Sequence, residues 1–316
     1  MKCRICSNKE NNLECEAKEM MFRLDEAFVY FQCSLCGCLQ IKEFPENIAK
    51  YYPSDYYSYK PVSKVGPLTQ IIIRLRNNYE VFKTGFLGQL ISGKFPNPTL
   101  RALNYLNLNK ESSILDVGCG KGEALNHLKE IGFKNLLGID PFNEYDITYE
   151  NGLIIEKKIL SEVNGKWDLI MFIHSFEHLM EQESVLKTVF SLLSEGGVCL
   201  IKVPISSSYA FKHYGVDWVQ LDAPRHFFLH SIKSMEILTK KMGFKITKTS
   251  YESTSFQLWG SEQYKKGVLL TDENSYLVNK KKSIFSKREI KEFEKKAHEL
   301  NEEGLGDEVA FYLQKI

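Results

Sequence analysis

Residues 114–123 read Ile-Leu-Asp-Val-Gly-Cys-Gly-Lys-Gly-Glu, a short apolar run that leads into three alternating glycines. The apolar run predicts a buried strand, and the apolar spacing over residues 124–131 predicts a helix that ends at Gly132. Glycines between a strand and a helix let a ligand approach the backbone closely, and the helix start offers free N–H groups. We therefore expect Asp116 to lie at a strand tip beside a ligand-binding loop.

A second acid follows at the predicted next strand, residues 136–140, which closes on Asp140. A carboxylate at this place can accept both hydroxyls of an adenosine ribose. The loop spacing is D-x-G-x-G-x-G, whereas a dinucleotide site requires G-x-G-x-x-G, and Glu123 is a poor neighbour for a pyrophosphate. Asp116 suits the positively charged amino group of a methionine moiety. The alternative is a glycine turn without a ligand, which the ordered series of strand, acid, loop, helix, strand and acid disfavours.

Residues 112–251 alternate apolar runs with amphipathic segments, which is typical of an α/β fold with a mostly parallel sheet. Further strands are predicted at 153–155, 167–173, 198–203 and 244–249, and a helix before 198–203 is predicted to end at Gly196-Gly197. Ser286 and Glu289 form a capping-box pattern that predicts a helix start. The alternation over 309–313 predicts a last strand, which we expect at the edge of the same sheet.

Composition narrows the function classes. The 316 residues include 41 basic and 40 acidic side chains, so the near-zero net charge makes nucleic acid an unlikely partner. The sequence has no secretory signal and no apolar run of membrane-spanning length, which predicts no membrane insertion and a cytoplasmic location. Thiols stay reduced in that compartment, where closely spaced cysteines indicate a metal site sooner than disulfides.

Six of the eight cysteines lie within the first 40 residues. Two C-x2-C pairs, Cys3 with Cys6 and Cys33 with Cys36, have the spacing of a tetrahedral zinc ribbon closed by four thiolates. Such a site is structural because no position is left open for a substrate. Cys38 is an alternative ligand to Cys36, and the competing interpretation is a set of reduced thiols without metal.

Residues 114–125, Asp140 and residues 167–179 resemble motif I, the ribose acid and the fourth strand of class I S-adenosylmethionine-dependent methyltransferases. The resemblance implies a Rossmann-like sheet whose last strand is antiparallel. It also implies that Asp116 and the glycine loop lie along the methionine moiety, with Asp140 at the ribose and Pro141 against adenine. Ile159 and His174 would complete the cleft, although residues 156–159 lack the usual acid for the adenine amino group. The implied cofactor contacts are Asp116, Gly118, Cys119, Gly120, Asp140, Pro141, Ile159 and His174.

Three histidines follow predicted strands, where open α/β sheets bind ligands. His174 and His178 follow the fourth strand, and His226 ends the segment 218–226 after the fifth. Methyl transfer to a hydroxyl requires an in-line nucleophile and often a base that titrates near neutrality. Our hypothesis is that His226 is the general base and that His178 orients it or replaces it. The alternative is that both histidines are buried and only shape the pocket.

Residues 177–179 and 222–226, together with the cysteine pattern, resemble methyltransferases of bacterial sugar and surface-polysaccharide synthesis. This resemblance implies a nucleotide-linked sugar or glycan as the acceptor, methylated on oxygen or carbon. Related C-methyltransferases carry a longer C-terminal domain, which favours O-methylation here. The alternative enzyme function is an RNA methyltransferase with a zinc ribbon. It would be favoured by an Asn-Pro-Pro-Tyr-type loop after the fourth strand or by a basic ribbon, whereas residues 174–177 are His-Ser-Phe-Glu and the ribbon charges are mixed. A cofactor-bound interaction module is the non-enzyme alternative.

The predicted organisation has three parts. Residues 1–45 form a zinc-binding ribbon, residues 46–105 an aromatic-rich connecting and helical segment, and residues 106–316 the methyltransferase domain with a helical excursion at 254–302. The acceptor surface is expected to come from residues 51–59, 205–230 and 254–270.

Overall fold

The computed structural model describes residues 1–24, 26–52 and 65–316. Part of the predicted acceptor surface, residues 53–59, therefore lies outside the described residues. Within the described ranges the chain forms two sheets, of four and eight strands.

The N-terminal sheet is built from three strands of the cysteine-rich segment: β1 (Leu13–Lys18), β2 (Ala27–Gln32) and β3 (Leu39–Ile41). β1 pairs with β2 and β2 with β3, each pair antiparallel. The fourth strand comes from far along the chain, because Phe228 pairs with Gln40 and Leu229 with Leu39. Ribbon and main domain therefore share backbone hydrogen bonds as well as one continuous apolar core.

Three helices connect the two sheets: α1 (Pro67–Phe82), α2 (Phe86–Lys94) and α3 (Pro98–Arg101). The α1 helix lies within residues 46–105, which the sequence predicts to be a connecting and helical segment. Its polar side is anchored by Glu80, a fully buried carboxylate that accepts hydrogen bonds from Ser92 Oγ at 2.7 Å and Arg101 Nε at 3.0 Å.

The main sheet contains eight strands of the described chain in the order β11-β12-β9-β8-β4-β5-β7-β6. Strands pair parallel from β9 through β8, β4 and β5 to β7, whereas β12 is antiparallel to both β9 and β11. The predicted Rossmann-like fold with an antiparallel last strand is confirmed. The eight strands are β4 (Ile114–Val117), β5 (Leu136–Ile139), β6 (Ile147–Thr148), β7 (Ile154–Glu156), β8 (Trp167–Ile173), β9 (Leu193–Pro204), β11 (Phe244–Tyr251) and β12 (Glu308–Lys315), whereas β10 (Phe228–Leu229) is the fourth strand of the N-terminal sheet.

Two local predictions about the sheet are wrong. The helix before β9 ends at Leu192, not at Gly196-Gly197, because Leu193 already pairs with Trp167 and β9 begins there. The last strand does not lie at the edge: β12 inserts between β9 and β11, so β11 is the edge. An apolar strand buried on both faces suits this interior place, since residues 308–313 are all buried.

Six helices flank the main sheet and its insertions: α4 (Glu123–Glu130), α5 (Gln182–Leu192), α6 (Tyr209–Tyr214), α7 (Ile232–Lys241), α8 (Phe256–Lys265) and α9 (Lys287–Glu302). The predicted capping box is confirmed, because Ser286 Oγ accepts from the Glu289 N–H at 3.2 Å and the Glu289 carboxylate accepts from the Ser286 N–H at 2.7 Å.

A buried ionic cluster joins the ribbon to the main domain. The Arg225 guanidinium, fully buried, donates to Glu19 Oε1 at 2.8 Å and to Asp222 Oδ2 at 2.9 Å. It also donates to the Tyr51 carbonyl at 3.2 Å. Glu19 accepts further hydrogen bonds from three backbone N–H groups of residues 21–24. These contacts fix one corner of the ribbon against the loop that carries His226.

Replacing Arg225 with Ala should lower the free energy of unfolding by about 3–5 kcal/mol, since two buried carboxylates would lose their cation. Arg288→Ala is the matched control, because Arg288 pairs with Glu292 in solvent and its loss should leave the free energy of unfolding nearly unchanged. Urea unfolding followed by circular dichroism measures both. Equal stability of the two variants would contradict the importance of the cluster.

Candidate active site

The glycine loop follows β4 in a conformation that side chains resist. Gly118, Gly120 and Gly122 all have positive φ, at +73°, +57° and +76°. A Cβ on Gly118 would lie 2.5 Å from the Cβ of Ser175, at the end of β8. Glycine is thus required at position 118 both for its backbone angle and for the close approach of two strand ends.

Asp140 holds this loop in place. Its carboxylate accepts hydrogen bonds from the Gly120 N–H at 2.8 Å and from the Phe142 N–H at 2.9 Å. Asn143 completes the link, because its side-chain amide donates to the Gly120 carbonyl at 2.8 Å. Burial raises the pKa of Asp140, which these two backbone N–H groups partly offset.

A cavity of about 420 Å³ opens between the glycine loop, the end of β5 and the start of α5. This volume is in the range of small-molecule sites. Its wall is mostly apolar, with the stacked rings of Tyr52 and Phe142 at one side. Six of the residues predicted for the cofactor or for catalysis line it: Gly118, Asp140, Pro141, Ile159, His174 and His178.

Three other predicted cofactor residues lie behind the cavity wall. Asp116 is 3% exposed, and burial together with the nearby Asp140 raises the pKa of Asp116 to about 8. Cys119 and Gly120 form the turn itself, where Cys119 N–H donates to the Ile139 carbonyl at 3.2 Å. Asp116 is therefore largely uncharged at neutral pH in this state and would ionise beside a cationic ligand group.

His178 lines the cavity, whereas His226 is not among the described residues that line it and instead packs against His178. A hydrogen bond from His178 Nδ1 to the Arg225 carbonyl joins the two segments, although 47 positions separate these residues in sequence. The two imidazole centroids are 4.8 Å apart. His226 donates through Nδ1 to the Gln220 carbonyl at 2.7 Å, so its Nε2 carries a lone pair. Burial and the neighbouring His178 lower the pKa of His226 to about 4, so its imidazole is neutral at physiological pH.

His174 belongs to a different set of charges. It adopts a positive φ of 51° at the end of β8 and lies 3.4 Å from Glu308 and 3.7 Å from Glu177. Burial lowers the pKa of His174, but these carboxylates outweigh burial and raise it to about 10. The cation of Lys202, nearly fully buried, donates to Glu308 at 2.6 Å.

Several residues of this region are missed by sequence reasoning. Glu177, Arg225 and Glu308 are buried charged side chains, and Tyr52 and Phe142 are aromatic residues of the cavity wall. Glu177 could have been predicted, because it is adjacent to His178 and lies in the segment 177–179 that the sequence analysis relates to sugar methyltransferases. Glu308 and Arg225 become relevant only through strand order and loop packing, for which the sequence carries no local pattern.

The four predicted metal-ligand cysteines lie together in the ribbon. The Sγ atoms of Cys3, Cys6, Cys33 and Cys36 all lie within 4.8 Å of one another. The Cys3–Cys36 and Cys6–Cys33 sulfur distances are 3.6 and 3.5 Å, far longer than a disulfide bond. Cys38 lies outside this group, with its Sγ 3.8 Å from the Leu39 carbonyl.

Known proteins identify the fold and the class of reaction. A family model described as a methyltransferase domain matches residues 92–249, half of the chain, and includes the glycine loop, Asp140, His178 and His226. The chain belongs to this methyltransferase family. It is an S-adenosylmethionine-dependent enzyme whose sheet has the class I order described above.

No curated protein matches the chain. Among solved structures, the cyclopropane synthase MmaA2 from Mycobacterium tuberculosis is 17% identical, with a TM-score of 0.46, 77% of this chain and 93% of that chain covered. A methyltransferase from Archaeoglobus fulgidus is 21% identical, with a TM-score of 0.44 and coverages of 72% and 99%. A polyketide O-methyltransferase from Brevibacillus brevis with S-adenosyl-L-homocysteine is 15% identical, with a TM-score of 0.44 and coverages of 81% and 82%.

These structures are too distant to assign a substrate to this methyltransferase. Within the described ranges, its helices are all too short or too polar to cross a membrane.

Gly118→Ala should destabilise the methyltransferase by about 1–3 kcal/mol, because alanine is strained at this φ and its Cβ meets Ser175. Affinity for S-adenosylhomocysteine, measured by calorimetry, should fall at least tenfold. The control is Gly66→Ala, where the added Cβ has no atom within 4 Å and φ is −64°. Unchanged affinity in Gly118→Ala would show that the loop does not contact the cofactor.

Proposed function

We propose that this methyltransferase transfers a methyl group to a hydroxyl of a nucleotide-linked sugar or glycan, with His226 as the general base. The observation that carries the proposal is the position of the His178–His226 pair beside the cavity that the glycine loop and Asp140 form. The residues proposed to bind the cofactor and the histidine pair thus lie near the carboxyl ends of β4, β5 and β8. This is the edge at which α/β sheets bind their ligands.

The cavity residues fit the cofactor in chemistry as well as in volume. Bound S-adenosylmethionine supplies a methyl group on a positively charged sulfur. Asp140 offers acceptor oxygens at the rim of the cavity for ribose hydroxyls, and Pro141 and Ile159 offer apolar surface for adenine. Asp116 would ionise beside the amino group of the methionine moiety. The proposed cofactor residues are Asp116, Gly118, Cys119, Gly120, Asp140, Pro141, Ile159 and His174.

The His226 imidazole is neutral and can accept a proton, although its pKa of about 4 makes it a weaker base than one that titrates near neutrality. Its Nδ1–H is held by the Gln220 carbonyl, so Nε2 would take the proton of an acceptor hydroxyl. Asp222 Oδ2 lies 3.8 Å from that Nε2 and Glu177 Oε1 lies 3.9 Å from it, and both carboxylates would stabilise the imidazolium that forms. His178, itself fixed by the Arg225 carbonyl, orients the acceptor.

The sugar acceptor rests on the resemblance of residues 177–179 and 222–226 to sugar methyltransferases. The structure adds that both segments lie at the same corner, joined by the hydrogen bond between His178 and the Arg225 carbonyl at 2.8 Å. Eight free cysteines are consistent with the reducing cytoplasm, where nucleotide sugars are made, and we propose that the enzyme acts there.

Screening nucleotide sugars with methyl-labelled S-adenosylmethionine, followed by NMR of the product, tests the acceptor. A new O-methyl resonance on the sugar would support the proposal. A C-methyl product would shift it to the C-methylation alternative, and methylation of RNA but of no sugar would overturn it.

His226→Asn should reduce kcat by about 100-fold or more, because general base catalysis contributes about that much. Cofactor affinity should stay within about twofold, since the proposed cofactor contacts do not include His226. His298→Asn serves as the control, because His298 is exposed on α9, where it pairs with Glu302. Near-normal turnover of His226→Asn would refute the assignment, whatever the acceptor.

We also propose that residues 1–45 form a zinc ribbon, followed by the connecting segment 46–105 and the methyltransferase domain 106–316. Four thiolates around zinc at about 2.3 Å place their sulfurs about 3.8 Å apart, close to the sulfur distances of the cysteine cluster. Amide groups support the ligands: the Gln40 side chain donates to Cys3 Sγ at 3.0 Å, and the Ile5 N–H donates to it at 3.4 Å. All four positions would be filled, so this zinc would be structural.

The purified chain should contain about one zinc held by four thiolates, measured by atomic emission after removal of loosely bound metal. Cys33→Ser should lower the zinc content below half and the melting temperature with it. Cys15→Ser is the matched control, because Cys15 lies on β1 outside the cluster. Less than half a zinc per wild-type chain would overturn the proposal.

A further inference from the structure

A buried carboxylate without a hydrogen bond lies behind the catalytic histidines. Glu177 is fully buried, and neither oxygen has a hydrogen-bond partner in the part of the chain that the structure describes. The nearest imidazole nitrogens, His174 Nδ1 and His226 Nε2, are 3.7 and 3.9 Å away, which is too long for hydrogen bonds. The protonated His174 compensates for part of this charge, but a buried carboxylate without a hydrogen bond is still costly unless a further group binds it.

The two neighbouring histidines each keep one ring nitrogen unprotonated, as metal ligands do, and each has a ring nitrogen within 4.8 Å of a Glu177 oxygen. His178 donates its Nδ1–H to the Arg225 carbonyl, and His226 donates its Nδ1–H to the Gln220 carbonyl. Each hydrogen bond fixes the tautomer and leaves Nε2 unprotonated. Metal-binding histidines are usually held through their second nitrogen in this way, so that the ring is oriented before the ion arrives.

The distances suit a single small cation. Glu177, His178 and His226 each offer one donor atom, and the three donors lie within 4.8 Å of one another. Tetrahedral ligands at about 2.1 Å from an ion lie about 3.4 Å from one another. The His226–Glu177 pair, at 3.9 Å, is about half an ångström wider than that, so binding would draw the three side chains together by small rotations.

We propose that Glu177, His178 and His226 bind one divalent transition-metal ion, of the zinc or cobalt class, at a site separate from the four cysteines. Two imidazoles and one carboxylate favour such ions over magnesium or calcium, which prefer oxygen ligands alone. The ion enters from the cavity, because His178 lines it. One consequence rests on the proposed function. The bound ion occupies the Nε2 lone pair of His226 that would accept the proton of the acceptor hydroxyl, so the ion inhibits methyl transfer.

Cobalt titration of the zinc-loaded full chain tests the site directly. We expect one added cobalt per chain, with d–d absorption bands but without the thiolate charge-transfer bands that cobalt in the cysteine site would give. Glu177→Gln and His178→Asn should each weaken this binding at least tenfold, while His298→Asn, on the exposed face of α9, should leave it unchanged. Circular dichroism and melting curves show that the variants are folded.

Two results would overturn the proposal: no second metal equivalent in the wild-type chain, or cobalt affinity that is the same in Glu177→Gln and wild type. The inhibition is tested with zinc in the methyl-transfer assay, where zinc should lower turnover and a chelator too weak to strip the cysteine site should restore it. Turnover that rises when zinc is added would contradict the proposed inhibition of methyl transfer by the bound metal. If no sugar is methylated, the proposed function fails while the cobalt titration still decides the metal site.

Discussion

The ion pairs of Arg225 with Glu19 and Asp222 determine how this enzyme is assembled. Removing three charges from water is costly, and only close, hydrogen-bonded geometry compensates for it. The guanidinium therefore imposes one arrangement on three segments: the ribbon at Glu19, the turn at Tyr51 and the loop of residues 218–226. His226 is the next residue along the chain, and its backbone position follows from that of Arg225. The proposed base thus depends on an ionic contact with the N-terminal ribbon.

The ribbon is consequently part of the active-site support. Its sheet is extended by Phe228 and Leu229, two residues after His226, and its knuckle is hydrogen-bonded to the main domain, because Ser206 Oγ donates to the Gly37 carbonyl at 2.8 Å. Ser231 Oγ donates to the Cys36 carbonyl beside it. A metal that orders the cysteine knuckles would in this way stabilise the strand that follows the proposed base, which gives a physical reason for a structural zinc in an enzyme of this kind.

The two halves of the site differ in their electrostatics. On the cofactor side, burial keeps the pKa values of Asp116 and Asp140 high, so negative charge is available only when a cationic ligand or N–H donors compensate for it. On the histidine side, carboxylates surround imidazoles of opposite character. Glu308 and Glu177 keep His174 protonated, whereas burial keeps His226 neutral. Two ordinary imidazoles thus differ in protonation because of their surroundings alone: His226 is neutral, and His174 is protonated.

The sequence by itself determined the cofactor half. Residues 114–140 contain strand, acid, glycine loop, helix and second acid in one short stretch, and local spacing places all of them because neighbouring parallel strands are joined by one helix. The cysteine spacing likewise brought four sulfurs together. Strand order could not be predicted from local sequence: β12 lies inside the sheet because β11 pairs along its outer side and takes the edge position, and no pattern in residues 308–313 distinguishes an inner strand from an edge strand. The roles of Glu177, Arg225 and Glu308 could not be predicted from local sequence either. Their charges affect the site only because long-range packing buries them there. Only the tertiary structure decided the histidine side of the site. Burial and neighbouring charges, and not sequence spacing, determine which histidine nitrogens keep a lone pair.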